Sequence, residues 1–85
     1  MAIILTGKQR KTLERLKSRP ATIDWKDVES LLLHLGYKAQ KGGTSHVLFV
    51  HSDLPFFHTP RPHPRKTIIH WQIKDVLEHL NKIGL

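Results

Sequence analysis

Cysteine is absent from these 85 residues. Neither a disulfide staple nor a thiolate metal site can therefore support the fold, and nothing calls for an oxidising compartment. Long apolar runs are absent as well. Met1-Ala2-Ile3-Ile4-Leu5 is far too short for the apolar region of a signal peptide or for a membrane span, and no other stretch comes closer. The expectation is a cytoplasmic protein without a membrane segment. Acidic residues are scarce: seven Asp and Glu stand against fourteen Lys and Arg, a formal charge of +7, with seven histidines in reserve. A chain of this length makes one domain with a thin core and little stability to spare. So dense a positive field on a small body favours polyanions, and the sequence pI near 10.2 weights nucleic acid above a merely solubilising charge.

The few carboxylates also limit the chemistry. Two-metal nucleases need several carboxylates converging on one spot, but Asp24, Asp27 and Glu29 sit at a helix start, Asp53 in a turn, and Asp75 and Glu78 on the exposed side of the last helix. His34, His46, His51, His58, His63, His70 and His79 show no zinc-finger spacing and no two-histidine helical motif. His51, His58 and His63 could meet across strands, but ordinary surface histidines are the better reading. No metal and no cofactor is expected. Ser45 and His46 are adjacent, and neighbouring strand residues point to opposite faces, so they cannot pair as nucleophile and base. Gly42-Gly43 lacks the spacing of a phosphate cradle. Acid–base chemistry on RNA survives this sieve: the substrate's 2′-hydroxyl attacks the adjacent phosphate, one histidine moves protons, and Lys or Arg steadies the added charge. Any basic, histidine-rich domain would qualify.

Thr6-Gly7-Lys8-Gln9 fits a capping box opening a helix over 7–18. Leu13 and Leu16 are its only large apolar residues, opposite a face of Lys8, Arg10, Lys11, Arg15 and Lys17, so the helix reads as a peripheral addition. Its stripe is too poor for strong insertion into a membrane surface. Arg19-Pro20 ends it. Asp24 is the expected N-cap of a second helix, with Trp25, Val28, Leu31, Leu32 and Leu35 on one face and Gly36 as its left-handed stop. Three strands follow, over 37–40, 45–51 and 54–59, the last starting late because of Pro55. Short links make them an antiparallel meander. Residues 60–66 form a stiff basic loop. The last helix begins between Thr67 and Trp71, carries Ile73, Val76, Leu77, Leu80 and Ile83 on one stripe, and stops at Gly84. Trp25 and Trp71 are both expected in the core.

This order gives an α+β fold, a two-layer domain with two helices on one face of a three-stranded antiparallel sheet plus an extra N-terminal helix. The apolar Val47-Leu48-Phe49-Val50 centre asks for cover on both sheet faces, from the N-terminal helix or from a protein partner.

Several segments, in order and spacing from Asp24 to Leu85, resemble the HicA toxin family, the ribonuclease half of HicA–HicB toxin–antitoxin pairs. They are Leu32-Leu33-His34-Leu35-Gly36-Tyr37, the glycine turn into Ser45-His46-Val47-Leu48-Phe49, the proline-and-histidine segment from Pro60 to Pro64, and the closing Leu80-Asn81-Lys82-Ile83-Gly84-Leu85. The resemblance implies a fold like double-stranded-RNA-binding domains (dsRBD-like) over 24–85, with 1–20 as an N-terminal helical extension. It implies metal-independent cleavage of mRNA, growth arrest when unopposed, and neutralisation by a HicB-like antitoxin. The free chain would be a monomer and the complex a hetero-oligomer. It also implies one catalytic histidine directly after the Gly-Ser of the second strand. Here that residue is His46, with Gly43 and Ser45 at the substrate-binding turn. The sequence departs from the pattern at Thr44, which stands where the family has glycine before Ser45 and restricts the backbone beside the site. Lys41, Arg61, Arg65 and Lys66 are either phosphate contacts from the two flanking loops or a solvated basic surface. A non-catalytic RNA-binding module of the same shape is the alternative function.

Overall fold

The structure, a computed structural model, describes residues 5–41, 46–62 and 65–85. In chain order the elements are α1 (Gly7–Lys17), β1 (Thr22–Asp24), α2 (Trp25–His34), β2 (Lys38–Lys41), β3 (His46–Val50), β4 (Phe57–Pro60), β5 (Thr67–Ile69) and α3 (His70–Lys82). β2, β3 and β4 form an antiparallel meander, and β1 pairs antiparallel with β5 in a separate two-stranded sheet. The fold is α+β, with a three-stranded sheet and helices compatible with a dsRBD-like architecture.

Alternation along β3 divides the three-stranded sheet into two unlike faces. Val47 and Phe49 are buried, while His46 is exposed and Leu48 and Val50 are half-buried. Phe49 lies opposite Ala39 and Phe57, and Val47 opposite Lys41 and Thr59, so these residues share the inner side. α2 and α3 cover that side: Trp25 meets Phe49 at 6.0 Å between ring centroids, and His79 stacks on Phe57 at 4.8 Å. The outer side carries Lys38, Gln40, His46, Leu48, Val50, His58 and Pro60.

α2 ends as its sequence predicts. Gly36 takes φ +99°, and the Gly36 and Tyr37 N–H groups donate to the Leu33 and Leu32 carbonyls, both at 3.1 Å. A side chain is unwelcome at Gly36 for a second reason, because a Cβ there would stand 2.9 Å from His51 Nε2. The helix starts are less conventional. Thr6 and Asp24 occupy the expected N-cap positions, but neither side chain makes a capping bond. The Trp25 N–H instead donates to the Lys66 carbonyl at 2.9 Å. Gln9, expected to reach back in the capping box, is buried. α1 closes on Arg19, whose φ of 53° is unusual for a residue with a side chain.

Three expectations need correction. α1 is part of the core: Leu16 is fully buried and Leu13 nearly so, within the same cluster as Leu31, Leu32 and Leu80. Burial of each such side chain contributes about 1.5–3 kcal/mol, more than a surface attachment would. α1 packs on α2 and α3, so it is not cover for the outer sheet face. Trp71 is 45% exposed, because it precedes Ile73 by two residues and so lies about 200° around the helix from it.

Candidate functional site

His46 opens β3 on the outer face, exposed, with Pro60 of β4 directly opposite. His58 lies on β4 opposite Leu48, the outer-face residue that follows His46. The two histidines are therefore diagonal neighbours across one strand pair, a relation within reach of ring side chains. Their ring centroids are 6.2 Å apart and their planes inclined at 48°. Phe56, 64% exposed, lies nearly parallel to His58, at 16° and 6.4 Å. Gln40, Lys41, His46, Val47, Leu48 and His58 line an open depression at this end of the sheet.

Only some of the expected phosphate-contacting residues gather here. Lys41 is paired with Val47, so its side chain leaves the sheet on the inner side, and its Nζ lies 4.0 Å from Glu29 Oε2 of α2. It nonetheless reaches the rim of the depression. Arg61 is exposed and follows Pro60, the residue opposite His46. Arg65 and Lys66 are exposed where the chain enters β5. Arg61, Arg65 and Lys66 are not among the described residues lining the depression. Gly43, Thr44, Ser45 and His63 lie outside the described residues.

His51, just after β3, and His79, on α3, have structural partners. His51 Nδ1 accepts from the N–H groups of Asp53 at 2.9 Å and Leu54 at 3.2 Å, and its Nε2 faces the Leu35 carbonyl at 3.0 Å. That pattern suits a ring protonated at Nε2, which ties the β3–β4 turn to the end of α2. It also removes His51 from any cross-strand metal cluster, and no metal-binding group of His, Asp and Glu occurs among the described residues. His79 is buried. The Tyr37 hydroxyl donates to the Pro55 carbonyl at 2.7 Å and lies 2.8 Å from His79 Nε2, so the imidazole N–H is the donor in that second contact. Desolvation lowers the His79 pKa below its ordinary value, with the nearby Lys82 charge acting in the same direction. Burial likewise raises the Tyr37 pKa.

Little in the sequence anticipates that His46 and His58 are neighbours. The β3–β4 register follows from where pairing resumes after the turn, a tertiary outcome. The one signal in the sequence is alternation: if Phe57 faces the core, His58 faces outward.

Fold and surface together define a small, basic α+β domain of the dsRBD-like class that displays histidines on the sheet face turned away from its helices. Within that class the assignment is specific: residues 25–84 match the family model described as the HicA toxin of bacterial toxin–antitoxin systems, and the chain belongs to the HicA toxin family. It is thus a toxin of a toxin–antitoxin system, which implies an antitoxin partner. Comparisons with curated proteins and with solved structures return no match. No helix among the described residues is long and apolar enough to cross a membrane.

Proposed function

We propose that this toxin is a metal-independent endoribonuclease that cuts mRNA, with His46 as the base that accepts the 2′-hydroxyl proton, and that a HicB-like protein neutralises it by binding. The observation that carries this reading is the position of His46: exposed, on the outer sheet face, over an open depression with Lys41 at its rim. An imidazole can take and return a proton near neutral pH. As the 2′-oxygen attacks phosphorus, charge grows on the non-bridging oxygens, where Lys41 and Arg61 supply compensation. Gly43 and Ser45, beside His46 in sequence, are assigned to substrate binding at the turn. Arg65 and Lys66 serve the wider phosphate track, whose affinity falls with salt. The 24–85 segment is the nuclease unit, and 1–20 is a helical extension whose leucines steady it.

His46→Ala should abolish RNA cleavage and growth arrest while leaving the melting temperature and antitoxin binding unchanged. A general base of this kind contributes about 10²–10⁴-fold. Cleavage that persists in this variant would overturn the assignment. Activity of the wild-type chain that disappears on adding a chelator would replace it with a metal-dependent mechanism.

A further inference from the structure

We propose that His58 is the second catalytic residue of this site, the acid that protonates the 5′-oxygen leaving group; the assignment rests on the ribonuclease reading above. In-line attack places the entering 2′-oxygen and the departing 5′-oxygen on opposite sides of phosphorus. A ring within hydrogen-bonding distance of one, about 2.8 Å, cannot touch the other in the same step. An alkoxide leaves poorly without a proton, so a second donor on the far side is required. His58 meets that geometry. Its ring centroid stands 6.2 Å from that of His46 with the planes inclined at 48°, which leaves an interval for a phosphoryl group. Both rings border the same depression.

Of the proton-bearing side chains that line the depression beside His46, Lys41 has its Nζ 4.0 Å from Glu29, and His58 is the one whose ring neighbours His46. No carboxyl group lines the depression among the described residues. Arg61 holds its proton too firmly to act as an acid. The His58 ring has Phe56 near-parallel to it at 6.4 Å and His46 at 6.2 Å.

The reaction balances on these two rings. The P–O2′ bond forms as the O2′ proton passes to His46, and the P–O5′ bond breaks as His58, entering protonated, gives its proton to O5′. The products are a 2′,3′-cyclic phosphate and a free 5′-hydroxyl. Exchange with water returns both rings to their starting states.

The test uses the full chain and a transcript whose cleavage site has been mapped with the wild-type protein, made with either oxygen or sulfur at the bridging 5′ position of that bond. Sulfur departs without needing a proton. His58→Ala and His58→Gln should cut the oxygen substrate about 10²–10³-fold more slowly than wild type. On the sulfur substrate they should come within about tenfold of it. His46→Ala should stay slow on both. His58 is exposed, so unchanged circular dichroism and melting are expected for its variants. Three results would overturn the assignment: near-wild-type cleavage of the oxygen substrate by both His58 variants, equal slowing on both substrates, or sulfur rescue of His46→Ala instead. Full activity of His46→Ala would mark failure of the underlying His46 assignment, and a wild-type chain that cuts neither substrate would mark failure of the ribonuclease reading itself.

Discussion

On the helix side of the three-stranded sheet the histidine is His79, buried, stacked on Phe57 and hydrogen-bonded to Tyr37. On the opposite side His46 and His58 stand exposed on neighbouring strands, 6.2 Å apart. The same side chain thus meets two environments. Inside, burial disfavours the charged ring, and the imidazole acts as a flat packing element with one hydrogen bond to satisfy. Outside, solvent access lets protons come and go, as acid–base chemistry requires. The difference teaches that histidine count alone says little, and that the face on which an element places each ring, by helical phase at His79 and by strand alternation at His46 and His58, decides its surroundings.

The largest effect should come from breaking the inner side. Phe49 is fully buried, and its ring packs on Trp25. Phe49→Ala should lose about 3–5 kcal/mol in chemical denaturation, a large part of the about 5–15 kcal/mol that typical domains possess. Leu48→Ala, one residue earlier on the half-buried outer side, should cost less than half as much. Equal losses at the two positions would mean that the outer side is as tightly packed as the inner.

A smaller effect should follow pH. The His79 pKa is lowered in the folded state, whereas the unfolded ring titrates near its ordinary value of about 6.5. Between these two values the unfolded chain binds more protons than the folded one, so stability rises with pH across that window. The His79 contribution is therefore complete above about pH 6.5 and is lost as pH falls from there through the folded pKa. Urea midpoints measured from pH 7.5 downward should decline in that direction, and His79→Gln should flatten the decline. An unchanged slope in the variant would place the titrating group elsewhere.

Much of this division is legible in the amino-acid sequence. The α2 stripe and its Gly36 stop follow from a helical period and a single φ requirement, and the meander follows from short links between β-rich segments. The β1–β5 pair was not legible. Each strand has three residues, too few for alternation to register, and the pairing joins positions 22–24 to 67–69 across most of the chain. α1 looks peripheral because two leucines are a meagre stripe in sequence, yet Leu16 is fully buried in the core cluster where α1 packs on α2 and α3. Trp71 misleads by residue type, although its phase against Ile73 and Val76 points outward. At the candidate site, His46 was singled out by family resemblance. His58 waited on the β3–β4 register, since only cross-strand pairing shows which histidines are neighbours.

The smallest stability effect should come from Lys41, which belongs to both sides: its backbone register is inner, it pairs with Glu29, and it still rims the outer depression. The 4.0 Å pair with Glu29 involves an exposed ammonium, and such pairs contribute about 0–1 kcal/mol. Lys41→Ala should accordingly shift the denaturation midpoint very little. Its mark should appear in RNA binding instead. Loss of one phosphate contact lowers affinity for all sequences alike and reduces the slope of log affinity against log salt by about 1. A variant that loses well over 1 kcal/mol of stability while binding RNA with an unchanged salt slope would make Lys41 a residue of the inner side alone. The phosphate track would then begin at Arg61, on the far side of His46.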